Sequence, residues 1–138
     1  MAGPPELEDA GMCFCCGPRN PIGLKLAFER LPGDRMRTTW TPRPEHQGFK
    51  DIVHGGLVAT VLDEVMIRLL YDLGIPAVTA ELTTRLLRPV RAGRTYRFEA
   101  WVESNGGRLV TTGAQGLDLE THEPVARAEA KCVRSRTP

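Results

Sequence analysis

The sequence lacks a strong charge of either sign and lacks a long apolar run. In a chain of 138 residues, 18 Lys and Arg side chains balance 17 Asp and Glu side chains, so the formal net charge is +1. No overall field therefore attracts nucleic acid or an acidic membrane. The most hydrophobic stretch, residues 57–70, is shorter than the roughly 20 apolar residues that cross a bilayer and contains Asp63, Glu64 and Arg68. We expect neither nucleic acid nor a membrane as partner.

Cysteine is scarce and unevenly placed. Three of the four cysteines lie in the segment Cys13-Phe14-Cys15-Cys16, and the fourth is Cys132, unlike the spaced frameworks of small secreted domains. The N-terminal residues have neither the basic start nor the apolar run of a secretory signal. These features predict a cytoplasmic protein. Cys13 and Cys16 have the spacing of half a zinc site, but no second pair or nearby histidine completes four ligands, so we expect no metal.

The apolar periodicity predicts a single domain in which strands precede and follow one long helix along the chain. Residues 1–12 show no period and are predicted to be a flexible leader before one domain at 13–138. Residues 24–29 and 36–40 alternate around a turn at 31–34, which predicts a hairpin. The proline-free stretch 55–73, followed by Gly74 and Pro76, predicts a helix of about five turns.

Four more strands follow the helix, with alternating or β-branched patterns and a hairpin turn at 104–107. They are predicted at 78–87, 94–103, 108–119 and 125–133. The helix is apolar around nearly its whole circumference, which indicates that other structure encloses it. The order predicts an α+β domain in which an antiparallel sheet of five to six strands packs on one helix.

The segment His54-Gly55-Gly56 starts the predicted helix. Two glycines there let a ligand approach unpaired backbone N–H groups, and the helix dipole favours negative charge at this end. Such amides can polarise a carbonyl group. The alternative is that the glycines only shape a tight turn into the helix.

Asp63 lies on a helical stripe of small and mostly apolar residues. The stripe contains Gly56, Ala59, Thr60, Ile67 and Leu70. A carboxylate in such surroundings costs several kcal/mol unless it is paired, which suggests a general base or a nucleophile. The alternative is an Asp hydrogen-bonded to a neighbouring strand or subunit. Its neighbour Glu64 is explained by an exposed ion pair with Arg68 at i,i+4.

His54 and Asp63 are too far apart on the helix to meet within one chain. They are nine positions apart, about 13.5 Å along the axis, and they point to opposite sides. If the helix start and the carboxylate act on the same substrate atom, two subunits must supply the two halves of the site. We therefore predict at least a symmetric homodimer with two equivalent sites at its interface.

Together these motifs resemble the hotdog-fold acyl-CoA thioesterases, in particular the branch related to the phenylacetate-pathway thioesterase. The resemblance covers roughly residues 13–133. It rests on Cys-Phe-Cys-Cys-Gly-Pro-Arg-Asn-Pro-Ile-Gly-Leu at 13–24, on His-Gly-Gly at 54–56 followed by Asp63, and on Arg-Pro-Val-Arg-Ala-Gly at 88–93. It implies a long helix wrapped by an antiparallel sheet, dimers that commonly pair into tetramers, and hydrolysis of an acyl-CoA to free acid and CoA.

The resemblance also implies catalytic roles for individual residues. Asp63 would be the base or nucleophile, and the backbone amide of Gly55 from the other subunit would bind the thioester oxygen. Gly56, beside it, would be a substrate-binding residue. His54 would position substrate or water, although a hydrogen-bonded turn residue is the simpler reading. Thr79 aligns with a threonine that assists in some relatives, but an ordinary strand threonine explains it equally well. No cofactor is required, since coenzyme A is part of the substrate.

Substrate-binding roles follow from the same resemblance. Gln47 falls near a polar position that some relatives use, and Arg88 and Arg91 would suit the phosphates of coenzyme A. Two positions depart from the family pattern. Ile67 stands where several relatives have Ser or Thr one turn after the carboxylate, and Glu64 stands where some have a small hydroxyl residue. A covalent anhydride and a directly activated water therefore both remain open.

Two functions compete with thioester hydrolysis. A non-enzymatic acyl-CoA-binding protein of the same fold would not need Asp63 on the small-residue stripe and would normally need an effector domain. A hotdog enoyl-CoA hydratase or dehydratase would need an acid/base pair acting across the Cα–Cβ bond, for which His54 could be recruited. Aryl, short-chain and medium-chain substrates all stay open, because pocket depth depends on packing across the interface by Phe49, Ile67, Leu70 and Tyr71.

Overall fold

The computed structural model describes residues 6–135. Along the chain it contains strand β1, strand β2, a short 3₁₀ helix, the long helix α1 and strands β3 to β6. Their bounds are Phe28–Leu31, Arg35–Trp40, Pro44–His46, Gly55–Asp72, Ala77–Leu86, Tyr96–Gly106, Leu109–Asp118 and Pro124–Arg134. Residues 1–5 of the predicted leader lie outside the described part of the chain, and residues 6–12 run without helix or strand onto the start of the domain.

The six strands form one antiparallel sheet in the order β1-β2-β4-β5-β6-β3. Helix α1 packs against the sheet and contacts β2 to β6. The predicted α+β architecture, a hotdog fold with one long helix enclosed by an antiparallel sheet, is therefore confirmed. Strand β3 is at one edge of the sheet, where within residues 6–135 it hydrogen-bonds to β6 alone.

Helix α1 begins and ends where the sequence predicts, within one residue. His54 is its N-cap, and Leu73 closes its last turn. Gly74 follows with φ +77°, a left-handed conformation that glycine adopts without strain. One face of the helix is buried against the sheet through Val58, Val61, Leu62, Val65, Met66, Leu69 and Leu70. Within residues 6–135, no helix combines the length and apolarity that a membrane crossing requires.

The first strand is shorter than predicted. Alternation at residues 24–29 indicates a strand, but β1 starts at Phe28. Lys25 has φ +57°, which interrupts an extended strand. The backbone N–H groups of Leu24 and Leu26 instead donate to the carbonyl groups of Phe14 and Cys15, at 2.8 Å each. The apolar side chains alternate here because the segment packs against the N-terminal turn.

The hairpin turn between β4 and β5 also lies later than predicted. The turn was expected at residues 104–107, but β4 continues to Gly106. A register shift between Val102 and Ser104 inserts an extra residue into β4, as a β-bulge does. The chain reverses at Gly107, which has φ +81°.

Candidate active site

Helix α1 and strand β3 bring Asp63 and Thr79 into direct contact. The Thr79 hydroxyl donates a hydrogen bond of 2.6 Å to Oδ1 of Asp63. Burial raises the pKa of Asp63, and the hydrogen bond from Thr79 opposes that rise. Burial disfavours the charged form of a carboxyl group, whereas a donor to the carboxylate favours it. The result is an oriented carboxylate that is more basic than an ordinary aspartate.

The start of α1 leaves one backbone amide available. Nδ1 of His54 accepts a hydrogen bond of 3.0 Å from the Gly56 N–H, and the His54 carbonyl accepts from Leu57 and Val58. Within residues 6–135 the Gly55 N–H has no acceptor. His54 is thus an N-cap that engages the Gly56 amide and leaves the Gly55 amide for a ligand.

The end of β3 covers this helix start. A Cβ built on Gly55 would lie 2.8 Å from Cδ1 of Leu86, so the approach is closer than a side chain permits without movement of that leucine. Leu86 itself is 52% exposed. A cavity of about 320 Å³ is lined by Gly55, Leu86 and Arg88, together with neighbouring apolar residues. The structure therefore joins the free amide to an open, largely apolar groove.

The two predicted phosphate-binding arginines differ in their surroundings. Arg88 lines the groove next to Gly55, with Nε 3.2 Å from Glu123 Oε2 and Nη1 donating to the Pro124 carbonyl at 2.8 Å. The backbone N–H of Arg91 donates to the Tyr96 hydroxyl at 2.8 Å, and the residue as a whole is exposed. Arg88 is thus held in place at the groove, while the role of Arg91 stays a prediction.

Gln47 is held by its own loop. Its Nε2 donates to the Pro44 carbonyl at 2.7 Å, and its Oε1 accepts from the backbone N–H of Asp51. Gln47 also forms an isolated bridge with Val53, just before the helix N-cap. The side chain therefore orders the loop that leads to His54, and a direct role in substrate binding stays a prediction.

The four residues expected at the acyl pocket lie in three different environments. Leu70 is fully buried under the sheet, so the expectation that it lines a pocket across an interface is wrong, because its position on α1 faces the core. Phe49 is 84% exposed on the loop before the helix. Ile67 and Tyr71 line a different cavity, of about 370 Å³, between α1 and residues 7–16.

The predicted ion pair between Glu64 and Arg68 is not formed. Within residues 6–135, the Glu64 carboxylate accepts from Sγ of Cys13 at 3.3 Å and from Sγ of Cys16 at 3.7 Å. Arg68 pairs with Asp9 at 3.6 Å and stacks over the ring of Tyr71. Helical spacing allowed the i,i+4 pair, but the N-terminal segment packs on this face and supplies other partners to both side chains.

Burial also changes the acidity of the thiols in that segment. The pKa of the Cys16 thiol rises to about 12, mainly because of burial and then because of the negative charge on Glu64. Burial and Glu64 raise the pKa of Cys15 as well. Neither thiol is therefore poised as a thiolate nucleophile.

The free amide and the carboxylate lie at separate points along one chain. Gly55 and Asp63 are eight residues apart, about 12 Å along the helix axis. Strand β3 passes both points, with Thr79 near its first residue and Leu86 as its last.

Sequence reasoning missed Leu86, although its exposed position beside the helix start places it at the site. The pattern of exposure toward the end of β3 depends on the sheet order, which periodicity does not reveal.

Comparison with known proteins identifies a matching family and a related sequence. The family model described as the Thioesterase superfamily matches residues 50–125, just over half of the chain. An uncharacterized protein of Schizosaccharomyces pombe is 30% identical over 86 residues, which are 60% of this chain and 49% of that protein. The chain thus spans about half the length of the curated relative it matches.

Solved structures show the same architecture. A thioesterase superfamily protein of known crystal structure is 28% identical and superposes with a TM-score of 0.81, covering 86% of this chain and 61% of its own. The Escherichia coli PaaI protein from the phenylacetic acid degradation operon is 21% identical, with a TM-score of 0.76 and coverage of 82% and 81%. A Streptococcus mutans protein bound to acetyl CoA is 15% identical, with a TM-score of 0.74 and coverage of 80% and 88%.

Proposed function

The chain belongs to the thioesterase superfamily, and from that membership we propose that it is an acyl-CoA thioesterase that acts through Asp63, Thr79 and Gly55. The observation that carries the proposal is the half-buried Asp63 carboxylate, oriented at 2.6 Å by the Thr79 hydroxyl and with a raised pKa. Thioester hydrolysis needs such a group to deliver water or to attack the carbonyl itself. It also needs a donor for the developing oxyanion, and the Gly55 amide supplies one.

Two chemical routes use the same residues. In one, Asp63 takes a proton from water as the water oxygen bonds to the thioester carbon, and the C–S bond then breaks to release CoA thiolate. In the other, Asp63 itself bonds to that carbon, CoA leaves, and water hydrolyses the resulting anhydride. In both routes the Gly55 N–H binds the carbonyl oxygen as it gains negative charge. Both routes yield free acid and CoA, and neither needs a cofactor.

A homodimer completes the site in this proposal. The outer edge of β3 has no strand beside it within residues 6–135, and Leu82, near its centre, is 37% exposed. Antiparallel pairing of β3 with the partner's β3, centred near Leu82, would set Thr79 close to the end of the partner's strand. Because Leu86 at that end covers Gly55, Asp63 would then face the partner's Gly55. Pairing of two such dimers into a tetramer remains part of the same proposal.

The groove beside Gly55 suits the CoA portion of the substrate. Arg88 lies at the groove with its guanidinium held by Glu123 and Pro124, and guanidinium groups bind phosphate through paired hydrogen bonds. The Streptococcus mutans protein of the same fold is bound to acetyl CoA, which supports an acyl-CoA as the substrate. We also propose a cytoplasmic location, which the four free thiols support.

The test is release of free CoA from a panel of aryl, short-chain and medium-chain acyl-CoAs by wild type and by Asp63→Asn. The proposal expects thiol release by wild type on at least one substrate and a large loss in the variant. Equal rates would end the assignment of Asp63. Hydration of crotonyl-CoA without thiol release would indicate the hydratase, and binding without turnover would indicate the acyl-CoA-binding protein.

Mixed dimers test whether two chains share each site. Asp63→Asn and Gly55→Pro should each be nearly inactive, but a heterodimer of the two contains one intact site. After equal mixing and random subunit exchange, about one quarter of wild-type activity should return, since half the dimers are mixed and each has one working site of two. A mixture that stays inactive, although labelled subunits have exchanged, would mean that the two groups do not act in one shared site.

A further inference from the structure

A cluster of metal-ligating side chains lies outside both parts of the candidate site, the Asp63–Thr79 pair and the Gly55 amide. The Sγ atoms of Cys13 and Cys16 and a carboxylate oxygen of Glu64 lie within 4.8 Å of one another. The three residues are half-buried between the N-terminal segment and α1. Glu64 follows Asp63 directly, but it faces the N-terminal segment, whereas Asp63 faces β3. The cluster is therefore separate from the groups assigned to thioester hydrolysis.

A tight turn brings the two cysteines to the same side. The Gly17 N–H donates to the Cys13 carbonyl at 2.8 Å. A Cβ on Gly17 would lie only 2.3 Å from the Cys13 backbone nitrogen, so only glycine fits this position. The intervening Cys15 is buried in the core, with 3% of its surface exposed. The thiols of Cys13 and Cys16 donate to Glu64 and cluster with it, whereas Cys15 lies in the core and is not one of the three clustered ligands.

We propose that Cys13, Cys16 and Glu64 form a binding site for a thiophilic divalent cation, for which Zn²⁺ is the best chemical match. Two thiolates and one carboxylate are ligand types that Zn²⁺ takes at short distances, and a C-x₂-C pair is a frequent zinc-ligand spacing. Three protein ligands leave one position for water. The cavity of about 370 Å³ is lined by all three residues, which gives such a ligand a route to the metal.

The surrounding charges are compatible with a bound cation. With both thiols deprotonated the three ligands have three negative charges, of which a divalent ion compensates two. Arg68 is the cation on the same helix face, and its guanidinium is directed to Asp9 and to the ring of Tyr71. The sequence-based expectation of no metal rested on a missing further ligand. Glu64 supplies a third ligand from a position 48 residues after Cys16, which spacing rules do not detect.

A metal at this point would fasten the N-terminal segment to α1. The segment also contacts the helix through the thiol contacts to Glu64 and through the pair of Asp9 with Arg68, and Cys15 anchors it in the core. Metal binding contributes folding free energy when the unfolded chain does not preform the site. We therefore expect Zn²⁺ to stabilise the whole domain, whether or not the protein hydrolyses thioesters.

The experiment uses the full chain without a histidine tag, fully reduced and stripped of metal with a chelator. Zinc is added, excess is removed by desalting, and zinc per chain is measured by elemental analysis. Cobalt(II) added to the same protein reports thiolate ligation through a charge-transfer band in the near ultraviolet. The ligand variants are Cys13→Ser, Cys16→Ser and Glu64→Gln. Cys15→Ala, in the same turn but outside the ligand set, is the matched control.

We expect about one zinc per chain and a thiolate-to-cobalt band in wild type and in Cys15→Ala. Both signals should be lost in the Cys13→Ser, Cys16→Ser double variant. Changes to groups that only support metal ligands weaken binding about 10–100-fold, so the loss of a ligand in Glu64→Gln should weaken it at least tenfold. Zinc should raise the Tm of wild type and of Cys15→Ala, but not that of the double variant.

Two outcomes would overturn the site. Reduced wild type that retains no zinc and shows no charge-transfer band has no such site. Retention of zinc at wild-type affinity by a folded Glu64→Gln variant, checked by circular dichroism, would remove the carboxylate from the ligand set even if the serine variants fail to fold. Thioesterase activity does not enter either readout, so failure here is distinct from failure of the proposed enzyme function.

Discussion

The two parts of the candidate site, the Asp63–Thr79 pair and the Gly55 amide, differ in how far a single chain provides their partners. Asp63 is half-buried, hydrogen-bonded to Thr79 and shifted in pKa by its surroundings. The Gly55 amide lies at an exposed helix start, without an acceptor within residues 6–135 and next to an open groove. The fold of one protomer thus sets the orientation and the pKa of the Asp63 carboxyl group. The Gly55 N–H, by contrast, stays available to an acceptor from another molecule. This difference is what a site shared between two subunits requires.

The largest effect is expected at the tuned carboxylate. Asp63→Asn keeps the shape and can still accept from Thr79, but it removes the base or nucleophile. Activity should fall about 10²–10⁴-fold, the usual contribution of a positioned acid or base. Steady-state release of CoA measures the loss. Asp72→Asn, at the exposed end of the same helix, is the control and should retain wild-type activity.

The next effect is expected at the open amide. Gly55→Pro removes the N–H at the first helical position, where proline is well tolerated. His54 has φ −56° and ψ 126°, a conformation compatible with a following proline. The loss of one oxyanion donor should lower kcat about 10²–10³-fold. Gly55→Ala keeps the N–H and displaces only the flexible Leu86 side chain, so its kcat should remain much closer to wild type.

Thr79 links the strand to the carboxylate, and its loss should affect both rate and pH dependence. Thr79→Val removes a hydrogen bond that lowers the pKa of Asp63. The acid limb of kcat/KM should therefore move to higher pH. Hydrogen bonds to charged groups contribute about 1.5–3 kcal/mol, which limits the rate loss to roughly 10–100-fold. Thr79→Ser keeps the hydroxyl, so both its rate and the pH at which its kcat/KM falls on the acid side should stay at the wild-type values. An acid limb that does not move in Thr79→Val would contradict the effect of Thr79 on the pKa of Asp63.

A smaller effect is expected at the rim of the groove. Arg88 is exposed, so its contact with a CoA phosphate should contribute about 1 kcal/mol or less. Arg88→Ala should therefore raise the KM for acyl-CoA roughly fivefold, with kcat nearly unchanged. A thioester of N-acetylcysteamine, which lacks the phosphates, should show no such change. Arg37→Ala, which removes an arginine paired with Glu29 near the other edge of the sheet, is the matched control.

The smallest effect concerns stability. Burial raises the folded-state pKa of Asp63, so the fold favours the protonated form. Its contribution to stability is full at acid pH and is lost as the pH rises through the folded pKa. Asp63→Asn stays neutral and should raise the Tm by a few degrees at neutral pH, with the gain disappearing at acid pH. Melting curves across this range would reject the linkage if the gain were independent of pH.

The sequence was sufficient for the architecture because its signals are local. Gly74 ends α1, and the apolar periods mark all six strands, since each depends on a few neighbouring residues. The first strand was misplaced because Lys25 takes a left-handed conformation that periodicity does not encode. The turn after β4 was misplaced because a bulge shifts its register.

The candidate site was predictable only where it follows helix geometry. Asp63 and the His54-Gly55-Gly56 start follow from helical spacing and capping, and the structure adds the contact between Asp63 and Thr79. The partners of Glu64 are wrong in the sequence prediction because they come from the N-terminal segment. The family resemblance already implied the Gly55 amide, and the structure adds that the His54 ring accepts from the Gly56 N–H and leaves the Gly55 N–H free within residues 6–135. Contacts between distant segments were therefore what the sequence did not reveal.

The outer edge of β3, which has no strand beside it within residues 6–135, also links catalysis to solubility. An open strand edge with exposed leucines is a template on which any extended chain can add, and such edges promote aggregation. The same backbone groups would hold the partner's β3 in the proposed dimer. A substitution that weakens this pairing should therefore reduce turnover and shorten shelf life together.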